Sequence, residues 1–468
     1  LLFNSFPFLL FLLTVFSLYY LSFLKKYQII VLIAGSLFFY AWEGAHPFIL
    51  LIVSIVVNAF ASYQVAQTVN TRIKIFYLIV GIVYNVGLLT SFKLLQSLNT
   101  GSFSIYHPIN FLLSLSLPIG LSFYCLQGIS LLVDVFRNDF NERTKVIPSS
   151  PIQHLTRSLL FISFFPHSLA GPIVRAYNFL PQISEKKFNQ IDWEYCFRKL
   201  VIGYFLKMVV ADNLKHQTLV FMEYPNFLSL SGLTLVFLTL GFACQVFADF
   251  AGYSSIALGL AGLFGYQLKR NFNFPYLATS FSEFWQRWHI SLSTFLKLYV
   301  YKPLGGSKKG NARTALNILL TMIIGGLWHG LSWVYLGWGT LHGLFLVLER
   351  FINKVLPSKN KLPWVKGFSW IIIFLLISFS CLCFRYSSHF FLLRYLQHIY
   401  NNQITTHNYD IILFIIMYSI PVILYHLYAK YHAAFITIQK YNFIVFAIMI
   451  FLIITNSGPA SSFIYFRF

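Results

Sequence analysis

Phe281 to Leu341 reads FSEFWQRWHISLSTFLKLYVYKPLGGSKKGNARTALNILLTMIIGGLWHGLSWVYLGWGTL. Two apolar segments flank a basic loop that carries Lys302, Lys308 and Lys309. Each segment holds a histidine beside a tryptophan, Trp288-His289 and Trp328-His329. An ionisable ring inside an apolar run is costly to desolvate and is a functional candidate for that reason. Histidine is also the side chain best suited to move a proton near neutral pH. His329 lies between the apolar stretches 315–327 and 333–348, with Gly325, Gly326 and Gly330 around it. Glycines there let the backbone approach a ligand or another helix. A structural histidine bonded across helices would account for the same pattern.

Outward from this stretch, composition decides the class. Hydrophobic residues make up 57% of the chain and charged residues 10%, a balance foreign to soluble domains. Many runs approach the ~20 apolar residues that cross a bilayer as a helix. The chain therefore reads as an all-α polytopic membrane protein, a single integral domain over 1–468 with roughly eleven to thirteen membrane segments and some re-entrant ones. The first run is expected to be a membrane helix, not a removed signal peptide, because more spans follow. The 52 Phe and 29 Tyr suit lipid-facing and interfacial positions. The net charge of +21 falls in short loops, which points to topology and membrane lipids, not to nucleic acid. Five cysteines lie mostly in apolar runs without metal-type spacing.

Charge placement sets the expected topology. Lys25, Lys26, Arg72 and Lys74 follow the first and third spans, so the N-terminus faces outward. Loops at 137–157, 297–313 and 350–366 are assigned to the cytoplasm, and 96–114 and 385–409 to the outer side. The segment LPIGLSFYCLQGISLLVDV, 117–135, is too polar for a lipid-facing helix and is expected to pack inside. Residues 159–170 are broken by Pro166-His167 and read as a kinked or re-entrant segment. Spans are expected at 228–246, with a separate small-residue helix after Asp249, and at 411–427 and 444–454.

Near the first histidine, Glu283 and Arg287 are four apart and can pair on one helix face. Gln286 and His289 are three apart on the same expected helix. Asp249, one of few acids in an apolar context, is a candidate to orient a histidine, to pair with Arg270 or Arg287, or to cap a helix. The histidines are forty residues apart and no HExxH, GxSxG or Walker loop is present. No metal or tightly bound cofactor is expected.

The segments FWQRWHISL and GLWHG, together with FFPHSLAGPIVR and the LPIG stretch, resemble the membrane-bound O-acyltransferase family. The match is closest to the bacterial branch that includes alginate O-acetyltransferase membrane subunits and teichoic-acid D-alanylation proteins. It is most specific over 245–343. The resemblance implies a ring of membrane helices around a central tunnel and matches His329 to the family's active-site histidine. It places His289 as a second site residue lining the tunnel. Trp288, Trp328, Asp249, Arg287 and Gln286 are the candidates to line the tunnel or organise the site. It implies a thioester donor, acyl-CoA or acyl-carrier protein, and O-acetylation of an exported polysaccharide or peptidoglycan at a bacterial inner membrane with an extracytoplasmic acetyltransferase partner. The ending Phe463-Ile464-Tyr465-Phe466-Arg467-Phe468 is similar to the branch's FxYFxF tail, which implies Tyr465 as a covalent acyl carrier. A transporter of an anion or polyol lipid using buried histidines remains the alternative. The absence of matched halves counts against it. A non-catalytic scaffold for envelope enzymes leaves the Trp-His pairs unexplained.

Overall fold

The computed structural model describes residues 1–99, 118–137, 147–168, 171–355, 363–386, 388–402, 404, 406–431, 442–459 and 463. Helices, with short 3-10 and π segments, make up the regular structure among these residues. Among the described residues, six helices are long and apolar enough to cross a membrane, and three shorter apolar helices accompany them. The chain is thus an all-α polytopic membrane protein. Its apolar surplus shows as exposed Phe6, Leu9, Leu10 and Leu13 on the first helix, side chains suited to lipid and not to water.

Chain contacts divide the protein into two compact units, 1–197 with 256–269, and 198–255 with 270–468. In the first unit, helices Phe6–Tyr20, Gln28–Ala41, Ala45–Gln67, Thr71–Asn99 and Leu121–Phe136 supply the frame. The helix Leu121–Phe136 is inside the unit, as its polar content predicts: Gln127, Ser130 and Asp134 are all buried. Gly128 lies against Asn58, where an added Cβ would stand 2.6 Å from the side-chain amide. Asn58 and Asn85 exchange side-chain hydrogen bonds of 3.2 and 2.7 Å across their helices. The expected break near Pro166 is present. A helix from Pro151 to Ser163 stops, and a single turn, Phe165–Ser168, holds buried His167 3.2 Å from the Gln127 amide nitrogen.

The second unit contains the stretch that decided the sequence reading. Here several boundaries differ from expectation. The helix Gly232–Leu263, whose residues up to 255 belong to this unit, is continuous for 32 residues, so there is no stop at Asp249 and no second small-residue helix. Small residues at 251–262 favour close packing and do not end a helix whose neighbours satisfy it. Most of this helix is buried, whereas little of the helix Thr71–Asn99 is buried. The expected outer loop 385–409 contains a helix, His389–Tyr400, anchored by the buried Tyr395, whose hydroxyl donates to the Leu235 carbonyl at 3.0 Å. Its polar composition concealed the aromatic contacts of Tyr395 with Phe227 and of Phe391 with Tyr224.

Between Trp193 and Phe221 the chain is helical, but Phe205–Ala211 winds as a π-helix carrying Lys207. The helices Gly310–His329 and Trp333–Val355 form a hairpin whose glycines are contact points. A Cβ on Gly326 would lie 2.3 Å from the Tyr335 carbonyl, and one on Gly339 2.5 Å from the Met322 carbonyl. The close approach anticipated for the glycines near His329 is therefore helix to helix. Most of the 96–114 loop and parts of the 137–157 and 350–366 loops lie outside the described residues, as does Tyr465.

Candidate active site

His329 is the last residue of its helix and is 3% exposed. A regular α-helix delivers it, followed by Gly330 in an extended conformation any residue can adopt. Its ring is enclosed by aromatic side chains: Trp328 at 4.8 Å between centroids, Phe384 at 5.0 Å and Trp338 at 5.4 Å. The hairpin partner supplies Trp338 and the helix Pro363–Ser380 leads into Phe384.

His289 is presented quite differently. The sequence places it on one helix with Glu283, Gln286 and Arg287, and the structure corrects this. The helix Phe281–Arg287 ends, His289 adopts φ 41° and ψ 53°, and a new helix starts at Ile290. A left-handed backbone at a residue with a bulky side chain costs of order 1–3 kcal/mol and persists only where the surroundings hold it. Asn271 does the holding. Its carbonyl oxygen accepts from the Ile290 amide at 2.8 Å, and its side-chain oxygen accepts from the Ser291 hydroxyl at 2.9 Å and amide at 3.2 Å. The same oxygen lies 3.2 Å from His289 Nδ1. If it accepts there, Nδ1 carries the proton and Nε2 is the basic nitrogen.

Arg287 completes the clamp. It pairs with Glu283 at 2.9 Å, as its spacing predicts, and donates from Nη1 to the Asn273 carbonyl at 3.1 Å. The Asn273 amide donates back to the Arg287 carbonyl at 2.9 Å. Trp288 packs edge-on against Phe272 at 5.0 Å and stacks on Phe284 at 5.5 Å, which fixes the chain on the other side of the break.

The two Trp-His pairs meet at one indole. The Trp328 ring is 4.8 Å from that of its neighbour His329 and 6.0 Å from that of His289. Phe250 lies edge-on to His289 at 4.6 Å. Residues forty apart in sequence thus share one buried aromatic wall. Two further histidines that sequence reading passed over belong to the same unit. His342 is buried, 4.6 Å from the Trp338 ring, with Nε2 3.1 Å from the Ser380 hydroxyl. His426 stacks on Tyr276 at 5.3 Å.

Asp249 is not placed as expected. It pairs with Lys207 at 2.8 Å, and Lys207 also pairs with Asp212 at 2.6 Å, all three side chains being 3% exposed or less. A lysine within the apolar run VIGYFLKMVV was the signal available for this cluster. Gln286 is exposed and lines a cavity of about 1090 Å³ with Trp285. The cavity has an apolar floor that includes Leu296 and Met322, and Lys297, Arg350 and Lys354 among its lining. The one acid there, Glu349, is engaged with the amides of Phe281 and Ser282. Trp285 contacts Trp338 at 5.8 Å, so the cavity wall is two indoles from His329. Among the described residues, no group of His, Cys, Asp or Glu is arranged to hold a metal ion.

Residues 95–386 match the family described as MBOAT, membrane-bound O-acyltransferase family. The chain is 34% identical to a peptidoglycan O-acetyltransferase of Helicobacter pylori, over 76% of this chain and 70% of that one. It is 34% identical to the probable alginate O-acetylase AlgI of Pseudomonas aeruginosa, over 82% and 72%. A teichoic acid D-alanyltransferase of Bacillus subtilis is 27% identical, over 60% and 70%. A multi-pass helical protein with two buried histidines at one aromatic wall, matched over these lengths, belongs to the membrane-bound O-acyltransferase family and is an O-acyltransferase.

Proposed function

We propose that this protein moves an acyl group, acetyl in the reading its relatives favour, from a cytoplasmic thioester to hydroxyls of an extracytoplasmic cell-envelope polysaccharide or peptidoglycan. The setting is a bacterial inner membrane. The observation that carries the proposal is the convergence of His289 and His329 on Trp328. His329 is the general base. It takes the proton of an attacking hydroxyl as that oxygen bonds to the thioester carbonyl carbon, the C–S bond breaks, and the proton passes to the leaving thiolate. His289, its ring oriented by Asn271, positions the reacting groups beside it.

The donor is acyl-CoA or an acyl-carrier protein. The basic cavity supports a phosphate-bearing donor on this side, with Lys297, Arg350 and Lys354 meeting phosphate and the apolar floor receiving the acyl arm. The acceptor hydroxyl in the first step is that of Tyr465. Phe463, two residues earlier, is buried against Phe250, which touches His289. An acyl-tyrosine formed there is unloaded onto the polymer by a partner transferase outside the membrane. A phenol is a poor nucleophile at neutral pH until a base removes its proton, which gives His329 a defined task.

Intact-mass spectrometry of the purified protein tests this after incubation with acetyl-CoA or, separately, an acetylated carrier protein. Wild type should gain one acetyl group on the tail peptide. His329→Ala should lower the rate by about 10³-fold while the protein remains folded. Normal acylation of that variant would remove His329 from the mechanism, and polymer acylation by Tyr465→Phe would replace the tyrosine shuttle by direct transfer.

A further inference from the structure

Lys207, Asp212 and Asp249 form a buried ionic trio outside the aromatic wall, and the acyl-transfer chemistry does not use it. Removing one ammonium and two carboxylates from water is expensive, and the cost is offset only by good geometry among them. The contacts of 2.6 and 2.8 Å supply that geometry. Such a cluster is weak evidence for stability, and in some proteins its use is to fix one arrangement of the chain.

Its neighbours indicate which arrangement is fixed. Lys207 is on the π-helix Phe205–Ala211, a local winding that recurs at functional sites. The Met208 carbonyl of that turn accepts from the Gly458 amide at 2.9 Å. Asn213, next to Asp212, donates its side-chain amide to the Val209 carbonyl at 2.8 Å and to the Asn456 carbonyl at 3.0 Å. The Tyr418 hydroxyl donates to the Asn456 side chain at 3.0 Å. Gly458 lies so close that a Cβ would stand 2.6 Å from the Asn213 nitrogen and from the Asp212 carbonyl carbon. Gly252, in turn, brings the long helix within 2.9 Å, measured to its would-be Cβ, of the Lys207 backbone nitrogen. The Lys207 ammonium is 5.3 Å from the Tyr253 ring centre, and Phe463 packs on that ring at 4.7 Å and on Phe250 at 5.5 Å.

We infer that Lys207, clamped between Asp249 and Asp212, is a positioning residue that seats Asn456, Gly458 and Phe463 near the wall of His289. The trio joins the long helix to the π turn. The π turn receives Gly458, Asn213 beside Asp212 receives Asn456, and Tyr253, one turn beyond Asp249, receives Phe463. The clamp acts on catalysis through the tail, and this consequence rests on the site proposed above.

Hydrogen exchange of the full chain in detergent, read by mass spectrometry, tests the clamp without any activity. In the wild type the peptide containing Gly458 should exchange slowly. Asp249→Asn retains the Lys207–Asp212 contact and weakens only the tie to the long helix. It should speed exchange of that peptide about tenfold or more, while helix Gly310–His329 stays protected. Phe463→Ala, which leaves the ions intact, should free the same peptide. In both variants kcat should fall with KM for the donor unchanged. Unaltered exchange of the tail in Asp249→Asn would overturn the inference. Loss of protection throughout, including the His329 helix, would also overturn it by giving the trio a role in stability alone. Faster tail exchange without acyl transfer by the wild type would uphold the clamp and reject the proposed chemistry.

Discussion

His329 and His289 flank one indole, yet the backbone brings them there by opposite means. His329 rides on twenty residues of regular helix whose partner approaches through glycines at 326 and 339. Nothing in its backbone is strained, and rigid packing aims it. His289 sits in a left-handed break between two helices of seven residues, held by hydrogen bonds to Asn271 and by the Arg287–Asn273 exchange. One histidine is fixed by packing and the other by a polar clamp on a costly conformation. The second arrangement depends on those hydrogen bonds, because a strained residue relaxes when the groups over-determining it are removed.

This contrast can be broken at its polar end. Asn271→Ala removes three contacts to the break and should lower kcat about 30- to 100-fold with little change in folded yield, read by initial rates of acetyl transfer. A fall below twofold would mean that packing alone aims His289, and the two histidines would then be alike. A smaller effect sharpens the other side of the wall. Arg350→Gln or Lys354→Gln should raise KM for a phosphate-bearing donor about threefold to tenfold at low salt and leave kcat alone. Added salt should erase that difference, and a change in kcat would move these side chains from donor capture to the chemistry.

Much of the fold was readable because bilayer crossing is written in composition and run length. The helix at 409–430 starts and stops within a few residues of the span expected at 411–427. Glu283–Arg287 pairing was readable from i,i+4 spacing. The two tryptophan-histidine pairs marked candidate residues, but their meeting at Trp328 is a tertiary fact that spacing cannot carry. The break at His289 was hidden because Trp288 and His289 continue an amphipathic pattern, and the residue enforcing the break, Asn271, is eighteen positions upstream. Asp249 was noticed, whereas Lys207 was absorbed into an apolar run, so the acid lacked its partner. The continuity of Gly232–Leu263 was missed for a related reason: polar and small residues at 249–255 resemble a stop when their buried neighbours are unknown.

The central claim is that the two histidines work as one site, and a double-mutant cycle addresses it most directly. Initial rates of acetyl transfer are compared for wild type, His289→Ala, His329→Ala and the double variant, each with its folded fraction measured. Groups acting on one reacting centre are strongly non-additive, so the double variant should be within about threefold of His329→Ala alone. A double variant slowed by the full product of the two single losses would show that His289 and His329 act independently and would contradict the shared site at Trp328.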